Sequence, residues 1–338
     1  MPEKINVLEF LQLGKNIPIV DVRTPAEYEQ GHIPGSFNIP LFTNEERVKV
    51  GIRYKQAGKE FAVQLGLEIV GPKLADYVKQ AKKIANKKQL LIHCWRGGMR
   101  SGSLAWLFET AGFQVQLLEG GYKAYRSFIA EDLEKHFPIK ILGGYTGSGK
   151  TDILFELQKL GEQIIDLEGL AHHKGSAFGA IGEMPQPTNE QFYNDLGEVC
   201  LALDKSKVVW IEDESVTMGR CGIPQSLYKK MREAVVYKVD VPKKERERRL
   251  VKDYALGDIK ALEGALERIS RKLGGKQASA ALEALKNNDF LKVANISLEY
   301  YDKAYAYGLA KRDATKMTCL NVDKDDPKET AMKLIKLL

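Results

Sequence analysis

Short apolar runs alternate with stretches of helical spacing along most of the chain. Residues 17–22 (I-P-I-V-D-V) and Gln89–His93 (Q-L-L-I-H) predict strands. Between them, residues 72–85 carry the apolar period of an amphipathic helix. Residues 101–110 predict a helix, 115–118 a strand and 123–135 another helix, which leads to Phe137-Pro138. The alternation then starts again. Residues 139–142 predict a strand, a glycine-rich turn follows, and a helix runs from about Thr151 to Leu160. Strands are expected at Gln163–Ile165, 207–211 and 235–239, and residues 242–309 are mostly helical and rich in charge. Strands alternating with helices imply an α/β fold with parallel sheets covered on both faces. The restart predicts two domains, 1–136 and 137–338, the second with a helical portion over about 242–310.

Composition narrows the class. A chain of 338 residues with 44% hydrophobic and 28% charged side chains is neither a disordered, a collagen-like nor a disulfide-scaffold sequence. No apolar run reaches the ~18 residues of a membrane helix. The N-terminus carries charge inside its apolar stretch and lacks a signal-peptide layout, so a cytoplasmic protein without membrane contact is expected. Lys and Arg number 51 against 45 Asp and Glu, a formal net charge of +6. Most of that surplus lies over residues 243–276, with eleven Lys or Arg and six Asp or Glu. Helical spacing places Arg246, Arg249 and Lys252 on one side, where they suit a polyanion. Alternatives are a solvated helix whose ion pairs include Glu245 and Glu247, or arginines that close over a nucleotide. Cys94, Cys200, Cys221 and Cys319 form no C-x-x-C pair, which argues against a zinc site or a disulfide framework.

Cys94 stands out through its neighbours. In L-I-H-C-W-R-G-G-M-R-S a strand ends at His93, and the loop Trp95, Arg96, Gly97, Gly98, Met99 and Arg100 leads into a helix. Such a loop turns successive backbone N–H groups around one anion at a helix N-terminus. The same dipoles, with Arg96 and Arg100, are expected to lower the thiol pKa. The segment resembles the rhodanese family, a likeness that extends to D-V-R-T-P-A-E-Y-E-Q-G-H-I-P-G-S-F-N-I-P upstream. There Asp21, Glu27 and His32 are expected to brace the fold. Five residues separate Cys94 from Arg100, one more than in the usual sulfurtransferase loop. H-C-x-x-x-x-x-R-S also matches cysteine phosphatases, so the loop alone leaves chalcogen transfer and phosphate-ester hydrolysis open.

A second anion cradle follows. Gly144, Tyr145, Thr146, Gly147, Ser148, Gly149, Lys150 and Thr151 fit G-x-x-x-x-G-K-[ST] between a strand and a helix, the setting this phosphate loop requires. Its N–H groups are expected to hold a diphosphate, Lys150 to bridge the oxygens and Thr151 to face Mg²⁺. In V-V-W-I-E-D-E-S, Asp213 is the first choice for the metal, with Glu212 or Glu214 as alternatives.

Taken together, the two cradles resemble the tRNA 2-selenouridine synthase family, a rhodanese-like domain fused to a P-loop NTPase-like α/β domain. The likeness is carried by D-V-R-T-P-A-E-Y, N-I-P-L-F-T-N-E-E-R-V-K-V-G, H-C-W-R-G-G-M-R-S, G-Y-T-G-S-G-K-T, H-H-K-G-S-A-F-G, Q-P-T-N-E-Q-F and W-I-E-D-E-S. It implies a transferase that converts 2-thiouridine at tRNA position 34 into 2-selenouridine. Geranyl diphosphate alkylates the sulfur, and selenium arrives from selenophosphate through a Cys94 perselenide with release of phosphate. No bound organic cofactor is expected; Mg²⁺ and a selenophosphate-producing enzyme are expected companions. A geranyl tail needs an apolar groove, for which Phe178, Met184, Phe192 and Tyr193 are candidates, although ordinary packing explains each of them. His172–Gly179 is weighed as a loop near the substrate, and Arg246, Arg249 and Lys252 as a tRNA face. The competing readings are a cysteine phosphatase fused to a nucleotide-dependent kinase, and a nucleotide-regulated sulfur or selenium carrier.

Overall fold

The computed structural model describes residues 2–85, 87–254 and 258–337, and its chain divides into two compact units, Met1–Asp132 and Leu133–Leu338. Residues 255–257, inside the stretch expected to be helical, lie outside the described residues.

The first unit holds β1 (Glu3–Ile5), α1 (Val7–Gly14), β2 (Ile19–Asp21), α2 (Pro25–Gln30), β3 (Phe37–Asn38), α3 (Asn44–Ala57), α4 (Lys59–Val70), α5 (Leu74–Ile84), β4 (Gln89–His93), α6 (Met99–Thr110), β5 (Gln114–Leu118) and α7 (Gly121–Glu134), which crosses the division. Its five strands pair in parallel in the order β1-β5-β4-β2-β3. Central β4 is a continuous apolar run because helices cover both its faces, and Leu90, Leu91 and Ile92 are almost fully buried. Thr24 with Glu27, and Thr43 with Glu46, close capping boxes that start α2 and α3. The pair α3–α4 and the edge strands β1 and β3 were not expected from the sequence pattern.

The second unit holds β6 (Ile139–Gly144), α8 (Lys150–Lys159), β7 (Gln163–Ile165), α9 (Leu167–Ala171), α10 (Asn189–Ala202), β8 (Val209–Glu212), the hairpin β9 (Thr217–Met218) and β10 (Cys221–Gly222), α11 (Gln225–Glu233), β11 (Val235–Asp240), α12 (Lys243–Tyr254), α13 (Ile259–Leu273), α14 (Gly275–Lys286), α15 (Phe290–Leu309), β12 (Met317–Asn321) and α16 (Pro327–Lys336). Its main sheet is parallel, in the order β12-β11-β6-β8-β7. Apolar faces of α8 and α16 pack on this sheet around buried Trp210, while α13, α14 and α15 enclose a separate core with Leu266, Ala281 and Ile296. Among the described residues, no helix is long and apolar enough to cross a membrane.

Candidate active sites: a thiolate cradle and a phosphate cradle

In the first unit, β4 ends beside β2 and delivers Cys94 to the carboxyl end of the sheet, where open α/β sheets place their ligands. Cys94 is buried, and the Gly98 N–H donates to its Sγ at 3.3 Å. The Ser101 hydroxyl donates to the Gly98 carbonyl at 3.1 Å, and its oxygen lies 3.2 Å from the sulfur. Burial pushes the thiol pKa up, but hydrogen bonds from Ser101 and from the N–H groups of Arg96 and Gly98 outweigh it and bring it below the ordinary value. Ser101 had no assigned role in the sequence, although it directly follows Arg100 in the motif.

The cradle is braced from behind. Backbone N–H groups of Tyr122 and Lys123, at the start of α7, donate to the carbonyls of Cys94 and Trp95 at 2.9 and 3.0 Å. That turns the loop's carbonyls outward. Gly121 has φ +64°, and a Cβ there would stand 2.4 Å from the Cys94 carbonyl oxygen and 2.5 Å from the Gly97 nitrogen. No other residue fits behind the loop. Tyr122 also carries the Arg23 guanidinium 3.7 Å from its ring centre. Arg23 in turn grips the buried Asp21 carboxylate and the Gly31 carbonyl.

The two loop arginines part company. Arg96 is exposed, whereas Arg100 makes a two-pronged contact with the Glu27 carboxylate at 2.6 and 3.1 Å. Burial raises the Glu27 pKa, and the hydrogen bonds from Arg100 and Thr24 more than offset it, leaving Glu27 ionised. His32 stacks on Tyr28 with ring centres 3.9 Å apart and contacts its carbonyl at 2.9 Å. Thus Asp21 and His32 serve the framework, and Glu27 both caps α2 and orients an arginine of the cradle. Trp95 and Met99 are exposed at the rim.

In the second unit the phosphate loop joins central β6 to α8, at the edge of a cavity of about 740 Å³. Lys150 Nζ donates to the Gly144 carbonyl at 3.3 Å, and the Thr151 hydroxyl donates to Glu168 Oε2 at 2.9 Å. Gly149 has φ +71°, and a Cβ there would meet the Arg249 guanidinium at 2.8 Å. Glu168 and Glu214 line the same cavity. Burial, then the nearby Glu168 charge, raises Glu214 well above the carboxylate range. Glu212, at the end of β8, is fully buried. Its Oε1 accepts from the Glu168 N–H at 2.8 Å, and burial followed by repulsion from Glu168 and Asp166 pushes its pKa up to about 8.

The raised Glu212 pKa has a definite sign. Between about 4.5 and 8 the folded group keeps a proton that the unfolded chain gives up, so stability falls as pH rises through that window. Glu212→Gln is expected to flatten this slope in urea melts. An unchanged slope would mean that the buried carboxyl does not control it.

Several expected residues are placed differently. Asp213, first choice for Mg²⁺, forms a buried ion pair with Arg312 and accepts from the Tyr305 hydroxyl at 3.1 Å. Both oxygens are thereby engaged. Glu212 is sealed in the core; Glu168, which the sequence did not single out, contacts Thr151, and Glu214 and the arginine-paired Asp213 also line the cavity. Among the described residues, no three His, Cys, Asp or Glu side chains converge as a metal-holding group.

Arg246 does not belong to a nucleic-acid face. It is buried, clamps Asp302 through two contacts of 2.8 Å, and donates to the carbonyls of Val241 and Thr146 at 3.2 Å. Arg249 pairs with Asp325 and Asp152 and lines the phosphate cavity. An arginine closing over the phosphate loop describes it better than a surface contact does. Lys252 remains exposed. Helical periodicity put the three on one side but could not show that carboxylates from α15 and the 321–326 turn meet two of them.

The loop weighed as a substrate neighbour does reach the cavity, through Lys174, Gly175, Ser176 and Ala177. The Ala177 N–H of this loop donates to the Tyr301 hydroxyl oxygen at 2.9 Å, which ties the loop to α15. A small apolar extension of the cavity lies beside Thr146, Ser176 and Tyr301, walled by Phe178, Phe290 and Val293. Of the four residues considered for a prenyl groove, only Phe178 is there. Met184 is exposed, Phe192 is fully buried, and neither of them nor Tyr193 lines the cavity or its extension.

This arrangement defines a class: a rhodanese-like thiolate domain in one chain with a P-loop α/β domain. Residues 7–128 match the rhodanese-like domain, and residues 137–331 match the tRNA 2-selenouridine synthase AAA domain. The chain belongs to the tRNA 2-selenouridine synthase family. A protein of that name from Shewanella frigidimarina is 37% identical over 89% of this chain and 90% of its own length. One from Shewanella sediminis is 38% identical over 76% of this chain and 69% of its own length. One from Bdellovibrio bacteriovorus is 35% identical, over 89% and 91% respectively. A solved N-terminal domain from Clostridium difficile 630 is 47% identical, covering 38% of this chain and 98% of that one, with a TM-score of 0.36.

Proposed function

We propose that this chain is a tRNA-modifying transferase that replaces sulfur by selenium in 2-thiouridine at tRNA position 34. The observation that carries this reading is a buried Cys94 thiol that accepts from the Gly98 N–H inside a loop cradle, in a chain that also bears a phosphate loop beside a roomy cavity. A thiocarbonyl sulfur leaves poorly, so it is first made into a thioether. The thiouridine sulfur attacks C1 of geranyl diphosphate, the C–O bond breaks, and diphosphate departs. Lys150 and the loop N–H groups stabilise the charge that develops on the departing oxygens. If Mg²⁺ binds, Thr151 with Glu168 or Glu214 would hold it, and it would supply further positive charge. A cavity of about 740 Å³ is of the size that ligand sites use, and the small apolar pocket of about 40 Å³ beside Phe178 adjoins it.

Selenium then comes from selenophosphate held over Cys94. On the perselenide route, Sγ takes up selenium and hands it to C2 as geranyl thiol leaves. A perselenide stands two electrons above the selenium of selenophosphate, so loading draws on an external two-electron acceptor and delivery on a thiol. The five-residue span from Cys94 to Arg100 favours a second, redox-neutral route on the same site. Selenophosphate selenium displaces geranyl thiolate at C2, and Cys94 takes the phosphoryl group from selenium, to be freed by water as phosphate.

The test incubates the full chain with 2-thiouridine tRNA, geranyl diphosphate and selenophosphate, separately and together, and reads product nucleosides by mass. Geranylated and then selenated uridine are the expected products. Consumption of ATP or phosphotyrosine with neither product would overturn the reading in favour of a kinase–phosphatase fusion. Strict exclusion of oxidants stops the perselenide route and leaves the phosphoryl route running.

A further inference from the structure

Helix α3 has no fully buried residue along its 14 positions. Only Val50 packs against the core of the first unit, and the helix otherwise rests on α4. Across the stretch from Arg47 to Lys59 the chain carries five basic residues, Arg47, Lys49, Arg53, Lys55 and Lys59, and no acid. All five are exposed, and among the described residues none of them makes an ion pair. Interleaved with them are Val48, Ile52, Tyr54 and Phe61, each 49–59% exposed. Isolated exposed apolar side chains are ordinary, but four within fourteen residues on one helical hairpin form a patch that asks for a partner.

The helix is also fixed to the thiolate site. The Asn44 side-chain oxygen accepts from the Ala26 N–H at 3.0 Å at the start of α2. One residue on, Glu27 holds Arg100 of the cradle. Lys73 ties Glu46 to the turn before α5, so the first turn of α3 is anchored at both sides. The Cys94 sulfur meets Gly98 and Ser101, and neither belongs to the run N-E-E-R-V-K-V-G.

We infer that α3 and the start of α4 form the surface on which the first unit holds RNA, next to the loop where a base must meet Cys94. The inference rests on the tRNA reading above and goes beyond it by assigning a surface. Charge complementarity selects the occupant. Five cations that outnumber the nearby acids Glu45, Glu46 and Glu60 suit a phosphate backbone, and exposed Tyr54, Phe61 and Ile52 suit unstacked bases, which is how proteins read single-stranded loops. A second protein copy would bring the same five cations against themselves. In the second unit, by contrast, Arg246 and Arg249 are already spent on Asp302, Asp152 and Asp325.

The test measures binding of 2-thiouridine tRNA by fluorescence anisotropy across a salt series. It uses the full chain and its Lys49→Gln/Arg53→Gln/Lys55→Gln variant, with Lys252→Gln as comparator. Because α3 buries none of these side chains, the variant is expected to melt like the parent. Its tRNA affinity is expected to fall on the order of tenfold or more, and its log K against log salt slope to fall by roughly 0.7 for each phosphate no longer neutralised. Tyr54→Ala is expected to weaken binding without changing the slope. Equal affinity and slope in parent and triple variant overturn the inference, as does a larger loss in Lys252→Gln. A change in molar mass by light scattering, with tRNA affinity unchanged, assigns the patch to a second copy and overturns it too. If the parent itself does not bind tRNA, the functional reading fails rather than the choice of surface.

Discussion

Cys94→Ser stops selenation and spares geranylation, so geranylated tRNA accumulates when both small substrates are supplied. The size of the effect follows from the ionisation state. The cradle holds a thiol below its ordinary pKa through N–H donors that face the sulfur, whereas a serine hydroxyl stays protonated there and is a poor nucleophile. Loss of a nucleophile costs roughly three orders of magnitude or more in the step that uses it. Serine is nearly isosteric and leaves the Gly98 and Ser101 contacts in place, so the melting temperature should stay close to that of the parent. The pH dependence has a fixed sign as well. The rate of selenation rises as pH passes upward through the lowered thiol pKa and levels off above it. The stabilisation that the cradle gives the thiolate is present above the unfolded thiol value and is lost as pH falls through the folded one. Loss of both product nucleosides from a folded Cys94→Ser protein would refute separate sites for the two steps.

Lys150→Ala has the converse outcome. Geranylation of 2-thiouridine tRNA drops by roughly 10²–10³-fold, the range for removing one preorganised group that stabilises a departing oxyanion. Chemically geranylated tRNA should still be selenated, because the Cys94 cradle is built entirely from residues of the first unit. Lys150 donates only to the Gly144 carbonyl among the described residues, so its loss removes little from the fold. Single-turnover assays of each half-reaction, read by mass, separate the two steps. A Lys150→Ala protein that geranylates at the parent rate would place the diphosphate elsewhere.

Much of the framework was legible along the chain. A strand buried on both faces reads as a continuous apolar run, which is why Gln89–His93 and Gln163–Ile165 match in sequence and structure. Motifs such as H-C-W-R-G-G-M-R-S and G-Y-T-G-S-G-K-T also encode backbone geometry locally, because glycine positions and a following helix start lie within a few residues of each other. The short strands β1, β3 and β12 were not legible. Each depends on pairing with another strand, and the two or three residues of β3 and β1 carry no period of their own. The pair α3–α4 escaped for another reason: a helix with no buried face has no apolar stripe to detect.

The sequence by itself therefore determined the two α/β domains, the thiol and its loop, the phosphate loop and the family likeness, since all of these are written in residues adjacent along the chain. Only the tertiary structure decided where charges end up. Whether an arginine or a carboxylate is available to a ligand depends on what folds against it from a distance. Asp302 takes Arg246 out of solution, Arg312 pairs with Asp213, Glu27 turns Arg100, and the cations of α3 stay exposed with no ion pair among the described residues. A charge costs too much to bury alone, so each buried one names its partner; Arg23 finds Asp21 two residues away, but the partners of Arg246, Arg312 and Arg100 lie tens of residues away or more.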